Sequence, residues 1–126
     1  MPPVLWVCVG GAFGSGARYL LCNWIARTPP QAFPIGTLLV NCGGSFLLAL
    51  LMALSMGTAA VPSTLRVALG AGVLGGFTTY STFSYETFVS LQAGDYGRAV
   101  GNVAATVCGC LLATAAGWFA GRWLVG

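Results

Sequence analysis

The chain has 126 residues, of which 57% are hydrophobic and 6% charged, with a formal net charge of +3 and no histidine. Soluble domains carry about 25% charged residues, so this chain lacks the polar groups to cover a water-facing surface. Its cationic residues are all arginines, scattered at Arg18, Arg27, Arg66, Arg98 and Arg122, which excludes a basic patch for nucleic acid; the lack of histidine excludes imidazole metal sites and His-based acid–base chemistry.

The mean hydropathy of +0.86 points to lipid as the solvent. Four apolar stretches of roughly 20 residues would use most of the chain, leaving residues 1–126 as one all-α domain of four transmembrane helices. The N-terminus does not resemble a cleaved signal, because no basic residue precedes the first apolar run. Cys8, Cys22, Cys42, Cys108 and Cys110 lie inside apolar stretches. An odd number so placed reads as small hydrophobes rather than a disulfide framework. Cys108 and Cys110 also lack the second pair or the histidines that a zinc site needs.

The first span covers about 4–25. Gly10 and Gly14, and Gly11 and Ser15, form small-xxx-small pairs that let another helix backbone approach closely. Arg18 falls within this span. It either snorkels to the interface or faces protein and water in a functional role. A loop marked by Pro29, Pro30 and Pro34 leads to the second span, about 35–56. Thr37, Asn41 and Ser45 recur there at a four-residue spacing that gathers them on one helix face. Such a stripe serves either interhelical hydrogen bonding or the wall of a hydrated path.

The third span, about 65–91, is the most informative. Apolar sequence gives way to Gly75-Gly76-Phe77-Thr78-Thr79-Tyr80-Ser81-Thr82-Phe83-Ser84 and then resumes. Each flank of about 10–12 residues is too short to cross ~30 Å of hydrocarbon, whereas both together suffice. Paired glycines followed by Thr, Ser and aromatics form helix poorly, so the span reads as a helix broken over 75–84 near mid-membrane. Such breaks are tolerated where freed backbone groups face protein or a polar cavity, and they mark ion and substrate sites. A kinked, continuous helix is the alternative. Glu86, one turn past Thr82, is an acid within a span and so a candidate functional group, or else an interfacial partner for an arginine.

The fourth span, about 100–123, carries Asn102, Thr106, Cys110 and Thr114 at every fourth position, with Trp118, Arg122 and Trp123 as interfacial anchors. Two polar stripes and a hydroxyl-rich break favour a polar pathway. Its lining would be amides, hydroxyls and aromatic rings, whose N–H and O–H donors and positive ring edges suit a small anion. With four spans both termini share a side with Arg66 and Arg122, while Arg27 and Arg98 lie opposite. Two against two gives no orientational bias. Insertion both ways would permit an antiparallel homodimer, the subunit-level counterpart of an inverted repeat.

The segment Gly75–Phe88, GGFTTYSTFSYETF, with G-x-x-x-R-Y-L at Gly14–Leu20, G-T-L-x-V-N at Gly36–Asn41 and Asn102 in the last span, resembles the Fluc/CrcB family of small bacterial fluoride channels. The resemblance covers nearly the whole chain. It implies a dual-topology homodimer in the bacterial cytoplasmic membrane, with two pores that export fluoride passively and confer fluoride resistance. On this resemblance Asn41 is the pore amide and Tyr80 and Phe83 hold the two aromatic pore positions, Tyr80 standing where relatives usually have Phe. Thr37, Ser81, Thr82, Thr106 and Cys110 are further pore candidates, with Cys110 where Ser is expected. The backbone carbonyls of Gly75 and Thr78 would hold a structural sodium ion at the dimer interface. A small multidrug-type dual-topology transporter is the rival reading, but its membrane-embedded acid belongs in the first span, where this chain has Arg18. An enzyme is not expected, since Glu86 and Asp95 are the only acids and assemble no nucleophile and base.

Overall fold

The computed structural model describes residues 1–28 and 33–126, so Pro29 and Pro30 of the first loop lie outside the described residues. Helix α1 (Pro3–Ala26) has 24 residues, α2 (Ile35–Gly57) has 23, and the last helix (Tyr96–Leu124) has 29. At about 1.5 Å per residue each exceeds ~30 Å of hydrocarbon, and all three are apolar enough to cross a membrane. Among the described residues every regular element is helical.

Between α2 and the last helix the chain is helical in short pieces. Helix α3 (Ser63–Val67) runs into a π-helical segment, Ala68–Leu74, and then into α4 (Gly75–Phe77). Thr78 (φ −83°, ψ 156°) and Thr79 (φ −149°, ψ 112°) are extended, and α5 (Tyr80–Gln92) starts after them. The non-helical backbone is thus shorter than the 75–84 stretch that composition points to. Gly75 and Gly76 are helical, and α1 packs on Gly76: a Cβ there would sit 2.7 Å from the Gly11 carbonyl oxygen. Tyr80–Ser84 stay helical because Thr79 caps them, its Oγ1 accepting the Thr82 N–H at 3.2 Å.

Glycines set the helix spacing. Gly10 and Gly14 of α1 are buried against the π-helical segment, where a Cβ at Gly10 would lie 2.5 Å from the Ala68 carbonyl oxygen. The last helix, α6 (Tyr96–Leu124), packs along α2, with Gly117 against the Phe46 backbone and Gly121 against Ala53. Close backbone approach through small residues is how membrane helices gain dispersion contacts without a hydrophobic driving force. The α5–α6 turn uses Gly94 at φ +74°, a conformation costly for residues with a Cβ. Asp95 then caps α6 by accepting the Arg98 N–H at 3.0 Å.

The outside of the molecule is apolar. Phe13, Leu112 and Phe119 are 70% exposed or more, an arrangement that lipid stabilises and water does not. The protein is a multi-pass membrane protein.

Candidate functional site

The extended residues Thr78 and Thr79 release backbone groups that a continuous helix would pair internally, and α2 takes up two of them. Asn41, buried on α2, donates from Nδ2 to the Thr79 carbonyl at 3.0 Å and accepts the Thr79 N–H on Oδ1 at 2.7 Å. Gly44, three residues on, is where Thr78 fits, since a Cβ there would collide with Thr78 Cγ2. This pair of bonds satisfies the buried backbone at the gap between helices, as a low-dielectric environment demands.

The same bonds decide which carbonyls are left over. In a continuous helix the Thr79 N–H would go to the Gly75 carbonyl and the Thr82 N–H to that of Thr78. Here they go to Asn41 Oδ1 and to Thr79 Oγ1 instead. Gly75 and Thr78 therefore present oxygen donors of the kind a hard cation accepts.

A groove of about 460 Å³ opens beside this gap. Its walls include Asn41 and Ser45 from α2, Gly75 from α4, Thr78 and Thr79, Tyr80 and Phe83 from α5, and Thr106 and Cys110 from α6. Phe83 is buried whereas Tyr80 is 79% exposed. Their rings meet edge to face, centroids 5.6 Å apart at 66°, which leaves ring edges carrying partial positive charge beside the polar wall. Thr79 Oγ1 donates to Thr82 Oγ1 at 2.9 Å and lies 3.5 Å from Ser81 Oγ.

Not all of the expected residues converge. Asn41, Tyr80, Phe83, Thr106, Cys110, Gly75 and Thr78 line the groove. Ser81 and Thr82 are exposed and reach it only through Thr79. Thr37 lies elsewhere, donating to Glu86 Oε1 at 2.7 Å in a second cavity of about 370 Å³ with Cys22, Tyr85 and Ser90. Glu86 makes no ion pair with an arginine among the described residues, and its Oε2 is buried without a hydrogen-bond partner. Arg18 is half-buried and lines neither cavity. Among the described residues Asn102 is the most buried polar side chain: it donates to Thr87 Oγ1 at 2.9 Å and accepts from Thr106 Oγ1 at 3.4 Å.

Thr79 was missed by a reading that weighed side-chain donors, because its part is played chiefly by its backbone. The available signal was its place three residues before Thr82, at the start of a new helical turn, which is an N-cap position.

Comparison with known proteins gives this site a lineage. The family profile described as "CrcB-like protein, Camphor Resistance (CrcB)" matches residues 5–118. The chain belongs to the CrcB family. Its CrcB relatives include the fluoride-specific ion channel FluC of Anaeromyxobacter sp. (strain K), 52% identical over 126 residues and all of both chains. The fluoride-specific ion channel FluC of Geobacter sulfurreducens is 47% identical over 124 residues, 98% of this chain and 100% of the relative. The match to these CrcB proteins thus includes the extended pair, Asn41 and all of α6.

Proposed function

We propose that this chain is a fluoride-selective channel that lets the anion leave the cell passively across the cytoplasmic membrane. The full-length likeness to proteins named fluoride-specific ion channels carries the choice of ion. The groove supports the route. One N–H of the Asn41 amide remains for the groove after the other is given to Thr79, and the Tyr80 and Phe83 rings border the same groove. Weak donors and ring edges in series replace part of the water around a small, hard anion without holding it too tightly to leave.

On this reading Ser63–Gln92 crosses the bilayer as one span interrupted at Thr78 and Thr79. Residues 63–77 rise only about 22 Å and the 13 residues of α5 about 20 Å, each short of ~30 Å of hydrocarbon. Two copies assemble antiparallel. Ser81, Thr82 and Tyr80 are exposed on one copy, and polar groups at that depth need protein or water rather than lipid. Between the copies, the Gly75 and Thr78 carbonyls fit a sodium ion, which would supply a fixed positive charge and hold the interrupted backbone in place.

The test is reconstitution of the purified protein in liposomes with charge compensated by a potassium ionophore. Fluoride should be released, chloride far more slowly, and Phe83→Ile should abolish release while the assembly keeps its size. Equal chloride release, or release only under an imposed proton gradient, would overturn the reading and favour the exchanger-type alternative.

A further inference from the structure

Cys42 of α2 and Cys110 of α6 carry free thiols whose sulfurs lie 3.8 Å apart. Both are half-buried, and Cys110 also lines the groove beside Phe83 and Thr106. The pair sits on rigid elements. Gly109 leaves room for the Cys42 sulfur, which would be 3.1 Å from a Cβ built there, and Gly117 holds α6 against the α2 backbone. Nothing in the conduction of an anion requires two sulfurs in contact at this seam.

Among the described residues no third Cys, His, Asp or Glu joins the pair. A tetrahedral zinc ion, which takes four ligands, is therefore poorly served. A soft cation that is satisfied by two thiolates in a line is well served. Metal–sulfur bonds of about 2.3 Å would set the sulfurs about 4.6 Å apart, against 3.8 Å here, a difference that small side-chain rotations absorb. Charge selects among such cations. Mercury(II) binds two thiols with release of two protons and leaves a neutral complex, whereas a monovalent ion would leave a net negative charge in a poorly solvated seam. The protons leave through the groove that Cys110 borders.

We propose that Cys42 and Cys110 form a two-thiolate site for a soft divalent cation of the mercury(II) class, and that an occupied site obstructs the groove at Cys110. The obstruction rests on the channel reading; the binding does not.

The probe is mercury(II) chloride. In full-length protein carrying Cys8→Ala, Cys22→Ala and Cys108→Ala, one mercury should be retained per chain, and both remaining thiols should vanish together from thiol titration. Two mercury ions per chain, or one with a thiol still reactive, overturns the site. Adding Cys42→Ala should weaken retention by about 100-fold or more, the loss expected when a second tethered contact is removed; unchanged retention overturns it equally. In the unsubstituted protein, peptide mapping should find the metal bridging the segments that hold Cys42 and Cys110, a readout that does not depend on the variants folding. Fluoride release by the unsubstituted protein should stop on loading and resume with excess small dithiol, while Cys42→Ala should conduct and resist the same mercury concentration. Continued release from loaded protein refutes the obstruction. Absence of release before any mercury is added counts against the channel reading alone, and the stoichiometry still judges the site.

Discussion

On the proposed channel reading, Asn41 serves backbone and pathway together. Its carbonyl oxygen and one N–H are committed to Thr79, so one donor of the amide is left for an ion, where the bare sequence offers two. Asn41→Ala removes the partners of the buried Thr79 N–H and C=O, and each unsatisfied group costs ~1–3 kcal/mol. The variant should therefore lose fluoride release and also melt at lower temperature in detergent; lost flux with an unchanged melting temperature would mean that the backbone at Thr79 finds other partners. Tyr80 makes the opposite case. Its ring meets Phe83, but its hydroxyl has no hydrogen-bond partner among the described residues. Tyr80→Phe should change flux by no more than about fivefold, the equivalent of ~1 kcal/mol, and a larger loss in the liposome assay would assign the phenol a direct role.

At the scale of elements, hydropathy made α1, α2 and α6 legible, because lipid imposes length and apolarity on any helix that crosses it. The limits of the extended stretch were less legible. Gly75 and Gly76 read as helix breakers by propensity, yet both are helical and Gly76 packs on Gly11; tertiary packing overrides propensity. The stripe Thr37–Asn41–Ser45 divides between its two readings for a geometric reason. Four residues advance a helix by about 400°, so each step drifts about 40°, and eight residues also climb about 12 Å. Thr37 thus meets Glu86 while Asn41 and Ser45 face the groove. The same geometry gives a paired test of the α1 contact. Gly14→Ala would push a methyl into the Val73 carbonyl, whereas Gly16 has nothing within 4 Å of the corresponding position. Overpacking costs ~1–3 kcal/mol, so Gly14→Ala should lower thermal stability in detergent and Gly16→Ala should not. Equal effects would show that α1 packs otherwise.

For the whole molecule, the proposed antiparallel pair requires the chain to enter the membrane both ways. On the proposed four-span topology Arg66 and Arg122 oppose Arg27 and Arg98, so a reporter fused to the C-terminus should be found on both faces, as orientation follows cationic bias. One added lysine near residue 58 should tip the population and lower fluoride release by starving one orientation of partners; a reporter seen on a single face from the start would exclude the antiparallel pair. The two bonds between Asn41 and Thr79 carry a further consequence, for biogenesis. Their residues lie 38 positions apart, and Asn41 is synthesised first. Asn41 also leaves the ribosome before Thr79, so the α2 amide that pairs with the Thr79 N–H and C=O is available when the interrupted segment emerges. The backbone least suited to lipid thus follows, in chain order, the side chain that satisfies it.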